Sequence, residues 1–529
     1  MFSRWRFPLL VAALLIAFEL ATIGVVALGA PDGYRWLGST ISNQSDVAYY
    51  LSSLAQGKNS LLVYNLYSDS PISRFDLFWS LGGLFVRAGL SPLLTFEILR
   101  WLCTIVLSFA LVATARAVTQ NEKQAGLAAM FMISGMSTGW TYIIWKTLTH
   151  SWNPTGQVPA DLMSEAAIAP LLICGAHMIL SFALQLLAIR WIWESLRELK
   201  TKRLLAACAA LCALSLFHSY FIPLFGLMTI FALVWPLHGT TLDLSARLKR
   251  FVLLNASMLP GFLYILWSFW RYADFRTQQF DRNILPLGPL GFWILLFLPI
   301  GIAGAWMLWR KIPRDYYWSK RPNWVMAWIV SAIICMILPF PWKRKFTQGL
   351  IPAAVILTLP FWLMAAQAVR DQLYKPMRWM AALALLFPFY FLFRTQLITI
   401  YDPRYFSYFY APIAQFHAWE KIAAMPAREK IIATSLNAGV WTPAYTARII
   451  WIGHNHGTPD YANRLEQYNF WKSADDPMIF RSFLEDRGIT TVLAVSAADT
   501  RRCGAALTLP WHSVFEENGV SVWTKLPSL

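Results

Sequence analysis

The residues best suited to chemistry in this 529-residue chain are an acid among tyrosines (Asp46), a second acid (Glu165), and three adjacent cations (Lys343, Arg344 and Lys345). Asp46 lies in a polar, aromatic stretch from Ser42 to Arg74 that follows the first long apolar run. Read as a helix beginning near Ser45, this stretch lines up Asp46, Tyr49, Tyr50 and Ser53, because positions i, i+3, i+4 and i+7 share a face. The helix dipole keeps a carboxylate in the first turn ionised. Once positioned, such a carboxylate can take the proton from an attacking hydroxyl. The plainer alternative is that Asp46 only caps the helix. Asp69 and Asp76 share the loop, but SDSP around Asp69 reads as a turn. Glu165, in DLMSEAAIAP, stands where a polar loop becomes an apolar helix, so capping by its neighbours Ser164 or Asp161 would explain the segment equally well. Its chemical reading is as a partner to Asp46, orienting an acceptor or completing a metal site, since carboxylates suit Mg and Mn.

The elements that must position these groups are membrane helices. The chain is 57% hydrophobic and 14% charged, with 27 Trp and a mean hydropathy of +0.46, too apolar for a soluble protein of this size. Apolar runs of about twenty residues, the length that spans a bilayer, lie near 7–29, 95–118, 124–145, 166–190, 203–218, 219–237, 250–270, 289–309, 323–340, 348–369 and 377–395. They predict a mainly α, polytopic transmembrane bundle of about eleven crossings. His218 and Pro223 interrupt the pair at 203–237, and the amphipathic stretch 75–90 is read as lying in the interface. The first run is long enough to span and ends without a clear small-x-small cleavage site, so it reads as a retained anchor.

Charge supports this topology. Lys and Arg total 45 against 28 Asp and Glu, a net +17. Much of the excess sits in short loops, where it sets topology and meets anionic headgroups, so membrane lipids are the expected partner and nucleic acid is not. With the N-terminus cytoplasmic, the inner loops carry Arg197, Lys200, Lys202 and Arg203; Arg247, Lys249 and Arg250; Arg310, Lys311, Arg314, Lys320 and Arg321; and Arg370, Lys375 and Arg378. The loop around Asp46, those at 146–165 and 271–288, and everything beyond 396 then fall outside. One outer loop breaks the rule: PWKRKFT at 341–347 holds Lys343, Arg344 and Lys345. Cations at an outer boundary suit the phosphate of a lipid-linked substrate, which Arg can grip bidentately. The alternative is anchoring to ordinary phospholipid. Arg271, Arg276 and Arg282 in the preceding outer loop could join the same patch. His177 and His218 fall within apolar runs, where ionisable groups are costly and often functional.

From 396 the pattern changes. IIAT, ARIIWIG, TTVLAV and VSVWTK read as short strands, and Asp460 to Lys472 and Pro477 to Arg487 as helices, which predicts a small extramembrane α/β domain over 396–529. Within it GHNHG sets His454 and His456 two apart, a weak metal signal. Five of the six cysteines lie in apolar runs and Cys503 stands alone in the tail, so no disulfide framework is expected. The chain has no Walker loop, no GxGxxG after a strand and no GxSxG elbow, which argues against a nucleotide-driven enzyme or a serine hydrolase.

An acid in the first outer loop, a Tyr-rich helix and a QG-x-LY-S-P stretch (Asp46, Tyr49, Tyr50, Gln56, Gly57, Leu66, Tyr67 and Pro71) resemble the GT-C superfamily of polytopic glycosyltransferases. SEAAIAPLL with His177 downstream, LFHSY around His218, KRKFTQGLIPAAVIL and IGHNHGTPDY look like a bacterial branch of it. The resemblance implies a GT-C-like domain over 1–395, with outer loop 30–94 carrying the catalytic acid. It also implies a sugar donor carried on polyprenyl phosphate or diphosphate, and a bacterial inner membrane location with the tail periplasmic or extracellular. On it the family's first catalytic acid falls on Asp46, its second on Glu165, and its contact to the carrier phosphate on Arg344 or Lys345, with Lys343 and Arg271 alongside. Tyr49, Tyr50, Tyr67, His218, His454 and His456 are the expected substrate contacts.

Asp46 has no DxD or DD pair, so a divalent cation, Mg or Mn held by Asp46 and Glu165, is an option rather than a requirement. The chain also lacks the WWDxG-type signature of oligosaccharyltransferases. The expected activity is inverting transfer to an acceptor hydroxyl on a glycan, lipid or protein, with Asp46 as base and the cations beside it at one membrane face. The alternative is a flippase or transporter of a lipid-linked or small polar solute. Such proteins usually hold polar groups at mid-membrane, whereas here the acids gather at one face.

Overall fold

The structure is a computed structural model that describes residues 3–40, 44–68, 73–119, 121–135, 140–149, 151, 167–235, 242–272, 276, 290–310, 323–372, 377, 380, 382–383, 385–426, 429–474 and 476–526. Among the described residues four helices are long and apolar enough to cross a membrane: Trp5–Leu28, Pro92–Val118, Ala176–Ser195 and Leu244–Arg271. A bent pair, Lys343–Leu357 and Leu359–Gln372, makes a fifth if counted as one crossing; its halves meet at 61°. Other apolar runs form shorter helices, among them Thr201–Phe217, Asn323–Ile337 and Phe387–Ile400, while Leu290–Trp309 carries Pro299 at its middle. The stretch expected to lie in the interface is the 11-residue helix Leu77–Arg87.

By packing, the chain divides into two units: residues 1–22, 100–273 and 279–397, and residues 23–99, 274–278 and 398–529. In the first unit, the helices start and stop where local chemistry dictates. Asn121 caps Glu122–Ser134 through Gln124 N–H at 2.9 Å, and Gly135 ends that helix at φ +70°. Asp243 caps Leu244–Ala256 in the same way through Ala246 N–H at 2.7 Å. The run at 166–190 breaks at Gly175, whose extended backbone separates Ile168–Cys174 from Ala176–Ser195.

The run at 203–237 turns at His218, where Thr201–Phe217 gives way to a short 3₁₀ turn, Ser219–Phe221, and then to Ile222–Val234 with Pro223 in its first turn. Helices lack a hydrophobic drive to associate within lipid and pack through small residues. Gly261 is such a contact: a Cβ there would stand 2.2 Å from the Ser215 carbonyl oxygen, so Leu259–Arg271 lies directly on Thr201–Phe217.

The second unit holds the strands β1 (Tyr34–Trp36), β2 (Val63–Tyr64), β3 (Ser73–Arg74), β4 (Tyr410–Pro412), β5 (Lys430–Ala433), β6 (Ile449–Ile450), β7 (Thr491–Ala494), β8 (Trp511–Glu517) and β9 (Val520–Lys525). β1 pairs with β4 and β2 with β3, both antiparallel. The remaining five form one sheet in the order β6-β5-β7-β9-β8, with β5 parallel to β6 and β7, and β9 antiparallel to β7 and β8. Parallel neighbours require crossovers. Leu436–Thr446 supplies the one from β5 to β6, and Tyr461–Ser473 with Pro477–Asp486 the one from β6 to β7.

The β8–β9 hairpin turns on Asn518 and Gly519, both at positive φ (46° and 78°), as a right-twisted two-residue turn demands. Ile432, Trp451, Trp471, Phe480, Val492 and Trp511 fill the core beneath the sheet. Removing one such buried aromatic costs about 3–5 kcal/mol.

Residues 30–68 belong to this unit and are sewn to the tail. Leu37 N–H donates to the Phe409 carbonyl at 2.8 Å and Ile450 N–H to the Leu66 carbonyl at 2.9 Å, the latter at the edge strand β6. Tyr445 Oη donates to the Leu37 carbonyl at 2.7 Å.

Candidate functional site

Asp46 stands in the first turn of the helix Gln44–Gln56, where the peptide dipoles favour its charged form. Val47, Ala48, Leu51 and Leu54 are fully buried and fix the helix in place. The Asp46 carboxylate is bound by the tail. His454 Nε2 lies 3.0 Å from its Oδ1, with the histidine side chain 4% exposed and the aspartate side chain 34% exposed. The other ring nitrogen, Nδ1, accepts from Gly457 N–H at 3.1 Å, an N–H shared with the His454 carbonyl. An Nδ1 that accepts has no proton, so the proton is on Nε2 and His454 is a neutral donor to Asp46.

The ring is walled by Tyr49 (centroids 5.7 Å) and Tyr67 (5.6 Å), which stack on each other at 5.9 Å and 17°. Tyr67 is fully buried and its hydroxyl donates to the Val440 carbonyl at 2.7 Å. Burial holds that hydroxyl well above its usual pKa, and the nearby Tyr49 and Asp46 add to the shift against a lowering bond from Ser52. Tyr67 therefore supports the site as a protonated donor to the Val440 carbonyl.

The turn carrying His454 is shaped around Tyr67. A Cβ on Gly453 would sit 2.7 Å from the Gly439 carbonyl oxygen and 2.9 Å from Tyr67 Cδ1, and one on Gly457 would sit 3.1 Å from Tyr67 Cδ2. Only glycine fits the first position without displacement. Asn65 Nδ2 donates to the Gly457 carbonyl at 2.7 Å, and Thr458 Oγ1 accepts from Gly453 N–H at 3.2 Å. Gln56 closes the loop on the other side. Its amide donates to the Ser52 and Tyr64 carbonyls and accepts from Tyr64 N–H, all within 3.0 Å.

The structure thus gathers Asp46, Tyr49, Tyr67 and His454, with the half-buried His456 ring 5.7 Å from that of His454. Tyr50, expected on the same face, stacks instead on Trp79 at 5.0 Å and Phe96 at 6.3 Å. Tyr49 and Tyr50 are one residue apart, so a turn of about 100° sends them to different walls. Asn65, Gly453 and Gly457 were not singled out one by one in the sequence. The paired glycines of GHNHG were the available signal.

In the first unit, Lys343, Arg344 and Lys345 open a 3₁₀ turn, Lys343–Thr347, and are half-buried. Lys345 Nζ lies 6.0 Å from the Tyr220 ring centroid. Tyr220 in turn meets Trp342 at 5.4 Å and His218 at 5.7 Å, and His218 meets His177 at 5.5 Å. Gly349, at φ +81°, ends the turn in a space where a Cβ would stand 2.4 Å from Trp328 Cζ2. Arg271 lies over its neighbour Tyr272 at 5.6 Å. Glu165, Asp161, Asp69 and Arg282 lie outside the described residues.

Among the described residues no group of three or more His, Cys, Asp and Glu side chains could hold a metal ion. His454 offers a metal no lone pair, because one ring nitrogen carries a proton and the other accepts from Gly457. Of the two acids read as a metal pair, Asp46 is described and Glu165 lies outside the described residues.

Neither a scan against protein-family models nor a search of curated proteins found a match. Among solved structures, the chain is similar to ArnT from Cupriavidus metallidurans bound to undecaprenyl phosphate, at 12% identity over 98% of each chain with a TM-score of 0.49. It is similar to the oligosaccharyltransferase AglB from Archaeoglobus fulgidus in complex with an inhibitory peptide and a dolichol-phosphate, at 13% identity over 91% of this chain and 69% of that one, with a TM-score of 0.45. An Archaeoglobus fulgidus oligosaccharyltransferase in complex with Zn and sulfate matches at 14% identity over 91% and 67%, with a TM-score of 0.43.

Proposed function

We propose that this chain is an integral membrane glycosyltransferase that moves a sugar from a polyprenyl phosphate or diphosphate carrier to an acceptor hydroxyl at the outer face of a bacterial plasma membrane. The observation that carries this reading is Asp46: a carboxylate in a helix's first turn, hydrogen-bonded by a neutral histidine and still one-third exposed. Such a group suits the work of a general base. Asp46 takes the proton of the acceptor hydroxyl, whose oxygen attacks the anomeric carbon. The bond from that carbon to the carrier phosphate breaks on the opposite side, so the configuration inverts and the electron pair leaves with the phosphate.

Lys343, Arg344 and Lys345, with Arg271, take up the charge of the departing phosphate, the kind of electrostatic stabilisation that contributes most to such steps. Glu165 orients the acceptor, and Tyr49 and His456 contact the sugar or the acceptor. The acceptor is a glycan, a lipid or a protein side chain. The N-terminus is cytoplasmic and the tail faces outward.

A transport reading has one observation in its favour. Glu19 is fully buried within the long apolar helix Trp5–Leu28 and accepts from Thr104 Oγ1 at 2.5 Å. An acid at membrane depth is a mark of transporters.

One experiment separates the two. The protein in liposomes is given a panel of polyprenyl-phosphate hexoses and pentoses together with a cell-envelope extract as the source of acceptor; the lipids are followed by mass spectrometry, and their leaflet by a membrane-impermeant reagent. Transfer consumes one donor and releases free polyprenyl phosphate. If labelled lipid changes leaflet with no change of mass, the transport reading replaces this one.

A further inference from the structure

We infer that His454 is the positioning residue of the Asp46 base, so that the extramembrane tail completes the catalytic machinery and is not a separate binding module. The inference rests on the transferase reading and refines it, since His454 was expected to contact substrate. Three features point to positioning. The ring is almost wholly buried against Tyr49 and Tyr67, so substrate has little of it to touch. Its Nδ1 accepts from Gly457 N–H and its Nε2–H is directed at Asp46 Oδ1, so it has no lone pair with which to act as a base itself. Finally, the turn that holds it is fixed on three sides: by Asn65 on the Gly457 carbonyl, by Thr458 on Gly453 N–H, and by the Tyr67 ring against Gly453 and Gly457.

A donor held this rigidly does two things for a carboxylate. It sets the carboxylate plane, which decides whether an incoming hydroxyl meets a lone pair. It also favours the ionised form by hydrogen bonding. The two residues lie 408 positions apart, so the base is oriented only once the tail has folded.

The test has a kinetic arm and a donor-free arm, both on the full chain in nanodiscs. With the polyprenyl-phosphate sugar that wild type consumes, His454→Leu is expected to lower kcat about 10²-fold, the usual cost of misaligning a reacting group, with the donor KM within about twofold of wild type. His454→Gln keeps an N–H near the Nε2 position and is expected to regain most of kcat. If Gln is as poor as Leu while both fold to wild-type abundance and Tm, the positioning role is overturned.

In the donor-free arm, ¹⁵N-histidine spectra identify His454 by the signal lost in His454→Gln. The expected ring is neutral, protonated at Nε2, and shifted by Asp46→Asn. A ring protonated at Nδ1, or one that Asp46→Asn leaves unmoved, overturns the pairing. This arm needs no donor, so the pairing fails or stands on its own. A wild-type chain that turns over no donor would sink the transferase reading instead.

Discussion

The two regions assigned to catalysis are built in opposite ways. Asp46 is bound by His454, 408 positions away, whose Nδ1 accepts from Gly457 N–H and whose turn is pinned by directed hydrogen bonds from Asn65 and to Thr458 and by the Tyr67 ring. Lys343, Arg344 and Lys345 are consecutive and sit on one short 3₁₀ turn, with Lys345 over the Tyr220 ring. The difference follows from the tasks proposed for them. Accepting a proton depends on angle, so the acceptor must be clamped. Neutralising a phosphate depends chiefly on nearby positive charge, and a cluster of long side chains provides that without fine alignment.

If that contrast is right, substitutions at the two regions fail differently. The largest effect is expected from Asp46→Asn, which keeps the shape and removes the base. Turnover should fall by about 10²–10⁴-fold, the range of general-base catalysis, at unchanged abundance, read as polyprenyl phosphate released. Lys345→Ala should lower kcat/KM by about 10²-fold, and Lys345→Arg should restore much of it, since charge and not angle is needed there. Equal losses in Lys345→Ala and Lys345→Arg would erase the contrast.

Smaller effects fall on the clamp itself. Gly453→Ala forces a Cβ against the Gly439 carbonyl and Tyr67 and should cost about 1–3 kcal/mol of stability in the tail, measured as a lower Tm. Tyr67→Phe removes the bond to the Val440 carbonyl and the one from Ser52 and should cost about 1–3 kcal/mol. A separate expectation, away from both regions, concerns Cys503. Burial, with Asp499 adding and Arg502 opposing, pushes its thiol up to about 12. At pH 8 the native chain should react with iodoacetamide at this residue about 10³-fold more slowly than the unfolded chain, because only thiolate reacts.

Much of the fold was legible because it is periodic. The helix expected near Ser45 runs Gln44–Gln56, and the four strands read in the tail overlap β5, β6, β7 and β9. β8 was missed although Asn518–Gly519 after it is a strong hairpin signal. Gly175 and Thr358 break apolar runs that hydropathy alone reads as continuous. An apolar window does not register one extended residue or one bend.

The site was half legible. Asp46 and the cations stand out as charges where apolar or neutral residues are expected, and GHNHG stands out as a turn. That His454 would meet Asp46 had no local signal, since a contact across 408 positions leaves no period in the sequence. Tyr67 illustrates the same limit. Expected as a substrate contact, it is fully buried, with its hydroxyl on the Val440 carbonyl and its ring against Gly453 and Gly457 of the tail.

The most direct test of the account is a cryo-EM structure of the full chain in nanodiscs with a phosphonate analogue of its polyprenyl-phosphate donor and its acceptor bound together. The account predicts the acceptor hydroxyl oxygen within about 2.6–3.2 Å of an Asp46 carboxylate oxygen, with His454 still bound to that carboxylate. An acceptor hydroxyl that meets a different base, with Asp46 facing only water and His454, would contradict it.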